Sequence, residues 1–334
     1  MENHVFLEGS NCLVTGGLGF IGSRLARALV NAGSNVTIVD SQLEGAGANW
    51  FNIDDIRDSV QVNIADISDR TLMDELLPYQ NYVFNLAASI SHLDSMENPL
   101  MDLHANAGAH LSLLESCRHT NPDVRVVFAS TRQVYGKPQS SPVDENHPVK
   151  PVDVNGINKW SAEEYHRLYH ETYGLPVVTL RLSNVYGPGQ LVSHNRQGFI
   201  GWFLRLAIEN KTITVFGDGL QYRDLVYVDD VVEAFIAAAR AHDHQNAEVY
   251  NVSGAKAVSL ADIAELLTEI CPGASWSTIP FPEGREKIDI GSYQGDISRI
   301  GRDLAWSPKT SLEDGLRASC EYLGVNFEHY VEKA

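Results

Sequence analysis

Glycines stand at 16, 17, 19 and 22 in the run Thr15-Gly16-Gly17-Leu18-Gly19-Phe20-Ile21-Gly22. The run satisfies GxGxxG (Gly17, Gly19, Gly22) and GxxGxxG (Gly16, Gly19, Gly22). It follows a short apolar, strand-like stretch at 11–15 and opens a helical stretch at 20–32. Glycines in that position permit a tight turn, let a pyrophosphate approach the backbone, and let the helix pack close to the strand. The helix N-terminus adds free N–H groups and a partial positive charge. The expected chemistry is dinucleotide binding by Gly16, Gly19, Phe20, Ile21 and Gly22. Asp40 ends the next strand-like run, at 36–40, where an acid accepts hydrogen bonds from the adenosine ribose hydroxyls. A carboxylate there repels a 2′-phosphate, and no Arg follows in Ser41-Gln42-Leu43. NAD is therefore the expected cofactor rather than NADP.

His166 and His170 lie four apart on a helical stretch, the spacing of a metal-binding pair. No HExxH acid and no third ligand accompany them, so they read as surface histidines and no metal is expected.

These groups need a frame. Strand-like runs at 11–15, 36–40, 60–64, 82–86, 125–129 and 177–181 alternate with helical stretches, most clearly 20–32, 100–119 and 157–173. That alternation means right-handed βαβ units and a parallel sheet. After Arg181 the rhythm breaks at Gly187-Pro188-Gly189, with helices near 199–209 and 230–240 and a Pro/Gly-rich stretch at 272–284. The fold class expected is α/β: a Rossmann-type doubly wound parallel sheet over 1–181, with 225–252 able to return to it. A smaller, irregular α/β substrate domain over 182–334 follows.

Composition narrows the partners. The 334 residues carry 25 Lys plus Arg against 43 Asp plus Glu, a formal charge of −18. A nucleic-acid binder that tracks the phosphate backbone needs a basic face, and no basic run occurs, so nucleic acid is not an expected partner. No apolar stretch nears the ~20 residues of a membrane span. The first ten residues lack an apolar core, so no signal peptide is expected. Cys12, Cys117, Cys271 and Cys320 are scattered, without a CxxC pair. A cytoplasmic protein away from the membrane is the expectation.

Further marks along the chain resemble the extended short-chain dehydrogenase/reductases, in the nucleotide-sugar epimerase/dehydratase branch. They are the glycine turn, Asp40, Asp66-Ile67, Asn85-Leu86-Ala87-Ala88, Asn106, Ala129-Ser130-Thr131-Arg132-Gln133-Val134-Tyr135-Gly136 and Lys159. In the second half come Arg181-Leu182-Ser183-Asn184-Val185-Tyr186-Gly187-Pro188, the block 215–224, Arg285 with Asp289, and Trp306-Ser307-Pro308. The resemblance implies that Asp66 and Ile67 contact adenine, and that Leu86, Ala87, Ala88 and Asn106 belong to the cofactor groove. It implies that Asn184 contacts the substrate, Phe216 packs on its nucleotide base, and Arg223 and Arg285 clamp its diphosphate, as guanidinium groups do bidentately. It also implies a homodimer paired through helices near 100–119 and 157–173.

The resemblance breaks where the chemistry would occur. The family acts through Ser/Thr with Tyr-x-x-x-Lys, the tyrosinate taking a hydroxyl proton while hydride passes to NAD. Thr131 keeps the hydroxyl and Lys159 the lysine, which would fix the nicotinamide ribose. Four residues before Lys159 stands Asn155. An amide is not a general base. Either another group takes the proton (Lys159, an acid such as Glu145, or a histidine such as His92 in Ser91-His92-Leu93-Asp94), or a weaker base suffices, or the protein binds without turnover. Arg132 and Gln133 occupy the places where 4,6-dehydratases carry an Asp-Glu pair. Without that Glu, epimerisation of a nucleotide-linked sugar through a transient keto sugar is the leading expectation. An atypical dehydratase and a non-catalytic binder of NAD and nucleotide sugar remain the alternatives.

Overall fold

Consecutive apolar residues along the first strand point alternately to its two faces, and that builds two layers at once. The computed structural model describes residues 2–193, 198–242, 245–281 and 290–331. In β1 (Asn11–Thr15), Cys12 and Val14 enter one core while Leu13 enters the opposite one, as a two-residue side-chain period requires. The first core packs α1 (Phe20–Asn31) against the sheet. The chain then adds β2 (Asn35–Asp40), β3 (Val60–Ile64), α2 (Arg70–Leu76) and β4 (Tyr82–Asn85). Two short helices, α3 (His92–Glu97) and α4 (Pro99–Leu103), precede α5 (Ala109–Thr120), β5 (Arg125–Thr131), α6 (Val154–Tyr173) and β6 (Val177–Leu182).

β7 (Asn184–Tyr186), α7 (Phe199–Ile208), β8 (Thr212–Phe216), β9 (Tyr222–Tyr227), α8 (Val228–Ala239) and β10 (Val249–Val252) follow. Last come β11 (Ala257–Ser259), α9 (Leu260–Ile270), β12 (Ser275–Ile279), α10 (Ser298–Leu304) and α11 (Leu312–Asn326). Seven parallel strands form the main sheet in the order β10-β6-β5-β4-β1-β2-β3. This is the doubly wound parallel sheet expected from the alternation. Residues of α1 and α8 share one core with it, and residues of α2, α5 and α6 share the other. The strand order reverses between β1 and β4, and in such sheets a crevice opens there at the carboxyl ends of the strands. Two small sheets, β11-β9-β7 and β12-β8, pack with α7, α9 and α11 around a separate core in the second half.

Two helices differ from the sequence expectation. The stretch 100–119 is not one α-helix: α4 and α5 are joined by a π-helical turn at His104–Gly108. α6 begins at Val154, before the expected 157. Asp153 caps it by accepting the Gly156 N–H at 2.7 Å, which offsets the poor helix propensity of Asn155 and Gly156. Among the described residues no helix is long and apolar enough to cross a membrane.

Candidate active site

The crevice is one continuous pocket from the glycine turn to the ends of β5 and α6. Its lining includes Gly16, Gly19, Phe20, Ile21, Gly22, Asp40, Asp66, Ile67 and Leu86–Ala88 at one end. At the other end it includes His92, Thr131, Arg132, Gln133, Asn155, Lys159 and Asn184.

The first end is shaped by missing side chains. Gly16 has φ +69°, and a Cβ on it would stand 3.1 Å from the Leu86–Ala87 peptide. A Cβ on Gly22 would stand 2.2 Å from the Gly16 carbonyl oxygen, so α1 begins hard against the turn. Thr15 Oγ1 accepts the N–H groups of Leu86 and Ala87, both at 3.0 Å, fixing the floor between β1 and β4. Asp40 accepts the Leu18 N–H at 3.0 Å on Oδ2 and the Gln42 N–H at 2.8 Å on Oδ1. Burial pushes its carboxyl up, against the pull of those two N–H groups. A glycine cradle at a helix N-terminus with an acid beside it fits a dinucleotide diphosphate and a ribose diol. Asp66 lies 3.5 Å from His104; burial raises its carboxyl, but hydrogen bonds from Ser68 and the His104 contact leave it below its ordinary value. Asn106 is not part of the lining. It is buried behind it, its Nδ2 donating to the Ser89 carbonyl and to Asp102 Oδ2, each at 2.9 Å.

The second end is shaped by a buried amide network. Asn155 Nδ2 donates to the Ser89 carbonyl at 2.9 Å and to Asp102 Oδ2 at 3.1 Å. Asn158 Nδ2 donates to Asp102 Oδ1 at 2.8 Å. One fully buried carboxylate thus takes three amides, from Asn106, Asn155 and Asn158. Lys159 Nζ donates to the Ala129 carbonyl at 2.9 Å and lies 4.8 Å from the Phe128 ring centre. Burial lowers it to about 8, opposed by the charges of Asp102 and Glu163. Thr131 Oγ1 accepts the Gln133 N–H at 3.2 Å. Arg132 Nη2 donates to Asn184 Oδ1 at 3.1 Å, with the guanidinium 5.0 Å from the Tyr293 ring centre. His92 contacts Gln133 through Nε2 and Asp153 through Nδ1.

Several sequence candidates lie elsewhere. Glu145 does not line the pocket: it is buried, accepting the Asn251 N–H at 2.8 Å and facing Arg299 at 3.5 Å, so it fastens its loop to β10. Phe216 and Arg223 are not in the lining either. Phe216 packs on Phe281 with ring centres 5.7 Å apart, and Arg223 Nη1 donates to the carbonyls of Tyr222 and Gly291. Arg285 and Asp289 lie outside the described residues. The surface reading of His166 is wrong: it is fully buried, stacked on Phe128 at 4.2 Å, its Nδ1 donating to the Ala162 carbonyl at 2.7 Å. Burial lowers it to about 4. His170 is half-buried against the Leu175 carbonyl. No group of three or more metal-ligating side chains occurs among the described residues.

Sequence reasoning missed Asp102, Asp153 and Asn158. For Asp153 a signal existed, an Asp just before a helical run. For Asp102 it was fainter, an Asp four residues before Asn106 on one helical face.

Residues 12–253 match the NAD dependent epimerase/dehydratase family. The CDP-paratose 2-epimerase of Salmonella typhi is 29% identical over 335 residues, covering 91% of this chain and 96% of its own. The UDP-glucose 4-epimerase of Thermotoga maritima, solved with UDP-glucose, superposes with a TM-score of 0.86 at 30% identity, over 95% of this chain and 99% of its own. The dTDP-glucose 4,6-dehydratase of Streptomyces venezuelae, solved with NAD bound, gives 0.85 at 26% identity, over 95% and 98%.

Proposed function

This chain belongs to the NAD-dependent epimerase/dehydratase family, and from that premise we propose that it epimerises a carbon of a nucleotide-activated sugar. The observation that carries the reading is the single pocket joining the glycine turn and Asp40 to Thr131, Lys159 and His92. Bound NAD supplies a reversible two-electron acceptor, so a sugar carbinol carbon can pass through a ketone and return with inverted configuration. Asp40 holds the adenosine ribose, Asp66 and Ile67 flank the adenine, and Leu86–Ala88 line the groove. Lys159 fixes the nicotinamide ribose, and the Thr131 hydroxyl orients the reacting sugar oxygen. Asn155 is not a base; its amide braces Asp102 and the Ser89 carbonyl. The proton of the sugar hydroxyl goes to another pocket group, His92.

Epimerisation is favoured over 4,6-dehydration by Gln133, whose amide cannot supply the acid–base step of an elimination. Residues 1–181 with the returning strand β10 carry the NAD site, and residues 182–334 hold the substrate, with Asn184 of the pocket lining as a contact. Two copies pair through α4 and α6, whose Leu100, Leu103, Ile157, Trp160 and Leu168 are exposed. Light scattering of wild type against Ile157→Arg tests that pairing.

The test of function is calorimetry with NAD, then incubation with UDP-, dTDP-, GDP- and CDP-sugars followed by mass spectrometry and chromatography. A new stereoisomer of unchanged mass is expected. Loss of one water would make the protein a dehydratase, and no change across the panel would make it a binding protein.

A further inference from the structure

His92 opens α3, whose N-cap Ser91 accepts the Asp94 N–H at 3.1 Å. Its ring hydrogen-bonds Gln133 at Nε2 and faces a carboxylate at Nδ1, close enough to pair with it but not aligned as a hydrogen bond. Nδ1 lies 3.2 Å from Asp153 Oδ2, and Nε2 lies 2.9 Å from Gln133 Nε2. Asp153 is buried, and its other oxygen caps α6 through the Gly156 N–H. Burial raises that carboxyl, yet the His92 contact and the Gly156 N–H bring it below its ordinary value, so it is ionised and only accepts. A ring facing such a carboxylate carries its proton on Nδ1, which leaves Nε2 as a lone pair able to accept the Gln133 N–H.

We infer that Asp153 is a positioning residue that locks His92 in the Nδ1–H tautomer, making Nε2 the proton acceptor for the sugar hydroxyl. This rests on the epimerising reading above. In the forward step the sugar O–H proton moves to Nε2 and the O–H electron pair becomes the second C–O bond. The C–H electron pair leaves with its hydrogen for the nicotinamide. On return the same proton goes back to the oxygen. The imidazolium formed meanwhile faces the Asp153 carboxylate, which stabilises it.

The neutral Gln133 belongs to the same arrangement. A glutamate there would present only an acceptor to Nε2; the amide presents an N–H, which pairs with a lone pair on Nε2. Lys159 suits the task less well, since its Nζ is committed to the Ala129 carbonyl and it titrates near 8, above neutrality. Asp153 also stands two residues before Asn155, so the cap of α6 and the orientation of the ring depend on one side chain.

The experiment is nitrogen-15 NMR of the histidine rings in NAD-saturated protein, with His92 assigned by the signal lost in His92→Gln. Wild type should show His92 as Nδ1–H. Asp153→Asn keeps an oxygen for the Gly156 cap but presents an N–H to the ring, so His92 should switch to Nε2–H. Thermal unfolding reports whether that variant folds. With the sugar nucleotide converted in the panel, Asp153→Asn should lose roughly 100-fold or more in kcat with KM little changed. An Nε2–H ring in wild type, a ring unchanged in Asp153→Asn, or full kcat in His92→Gln overturns the proposal. A tautomer switch without conversion of any sugar nucleotide would uphold the positioning and remove the catalytic half together with the epimerase reading.

Discussion

The two ends of the pocket are built from opposite materials. At the dinucleotide end, backbone and the absence of side chains shape the pocket: Gly22 leaves no room for a Cβ, Gly16 takes a positive φ, and one carboxylate, Asp40, stands beside the turn. At the reacting end, side chains make the site through buried pairings: Asp102 with three amides, Asp153 with His92, Gln133 with His92. Binding NAD is a fixed task, and in the proposed reading a turn with glycines at fixed spacing performs it. In the proposed reading the reacting end must match one substrate and one proton path, so its side chains are built as pairs: Asn155 with Asp102, and Gln133 with His92.

The largest effect is therefore expected where nothing can move. Gly22→Val places a side chain against the Gly16 carbonyl, 2.2 Å from where its Cβ would stand. Backbone cannot yield there as a flexible side chain can, so the turn opens and NAD affinity falls by ~3 kcal/mol or more, at least a hundredfold. Calorimetry reads it directly. Affinity within tenfold of wild type would mean that the cradle is not what holds the diphosphate.

Behind the reacting end, the buried histidines give a pH response of nearly the same size. His166 titrates near 4 in the fold because burial disfavours its charged form, against an ordinary 6.5 in the unfolded chain. Below pH 6.5 the unfolded chain takes up a proton that the fold refuses until about pH 4, so stability falls with acid across that window. It is unaffected above it. The full loss is about 3 kcal/mol from this residue. His110, also buried and pushed well below its ordinary value chiefly by desolvation, acts in the same direction. Urea unfolding between pH 7 and pH 4.5 measures the slope, which His166→Gln should flatten.

Asn155→Tyr, which restores the residue type usual in the family, should not restore function. A phenol supplies one donor in place of the amide's two, so the Ser89 carbonyl and Asp102 are left short, and the ring is too large for a nearly closed site. The expected loss is ~2 kcal/mol of stability with no gain in turnover. A variant that is equally stable and faster would show a decayed tyrosine site rather than a rebuilt one.

This contrast explains what could be read from the sequence. The parallel sheet, the turn and Asp40 follow from local patterns: alternation of strand and helix, glycine spacing, an acid at a strand end. The pairings of Asp102 and Asp153 join positions 53, 56 and 61 residues apart, by subtraction from Asn155, Asn158 and His92, and no periodicity reports them. Glu145 and His166 misled for the same reason. Both are polar residues whose neighbours far along the chain, Asn251 for Glu145 and Phe128 for His166, come from how β10 and α6 pack on the sheet.

The smallest effect is expected at Asp40, although it is the best-marked residue of the chain. Both its oxygens already accept backbone N–H groups, from Leu18 and Gln42. Asp40→Asn keeps one acceptor for those groups and loses the negative charge. A hydrogen bond to a charged acceptor contributes ~1 kcal/mol more than a neutral one, so NAD should bind about five- to tenfold more weakly. The same change removes the repulsion of a 2′-phosphate, so NADP affinity should rise while NAD affinity falls. Calorimetry with both cofactors decides it. A loss as large as that of Gly22→Val would mean that the carboxylate, not the backbone cradle, dominates the dinucleotide end.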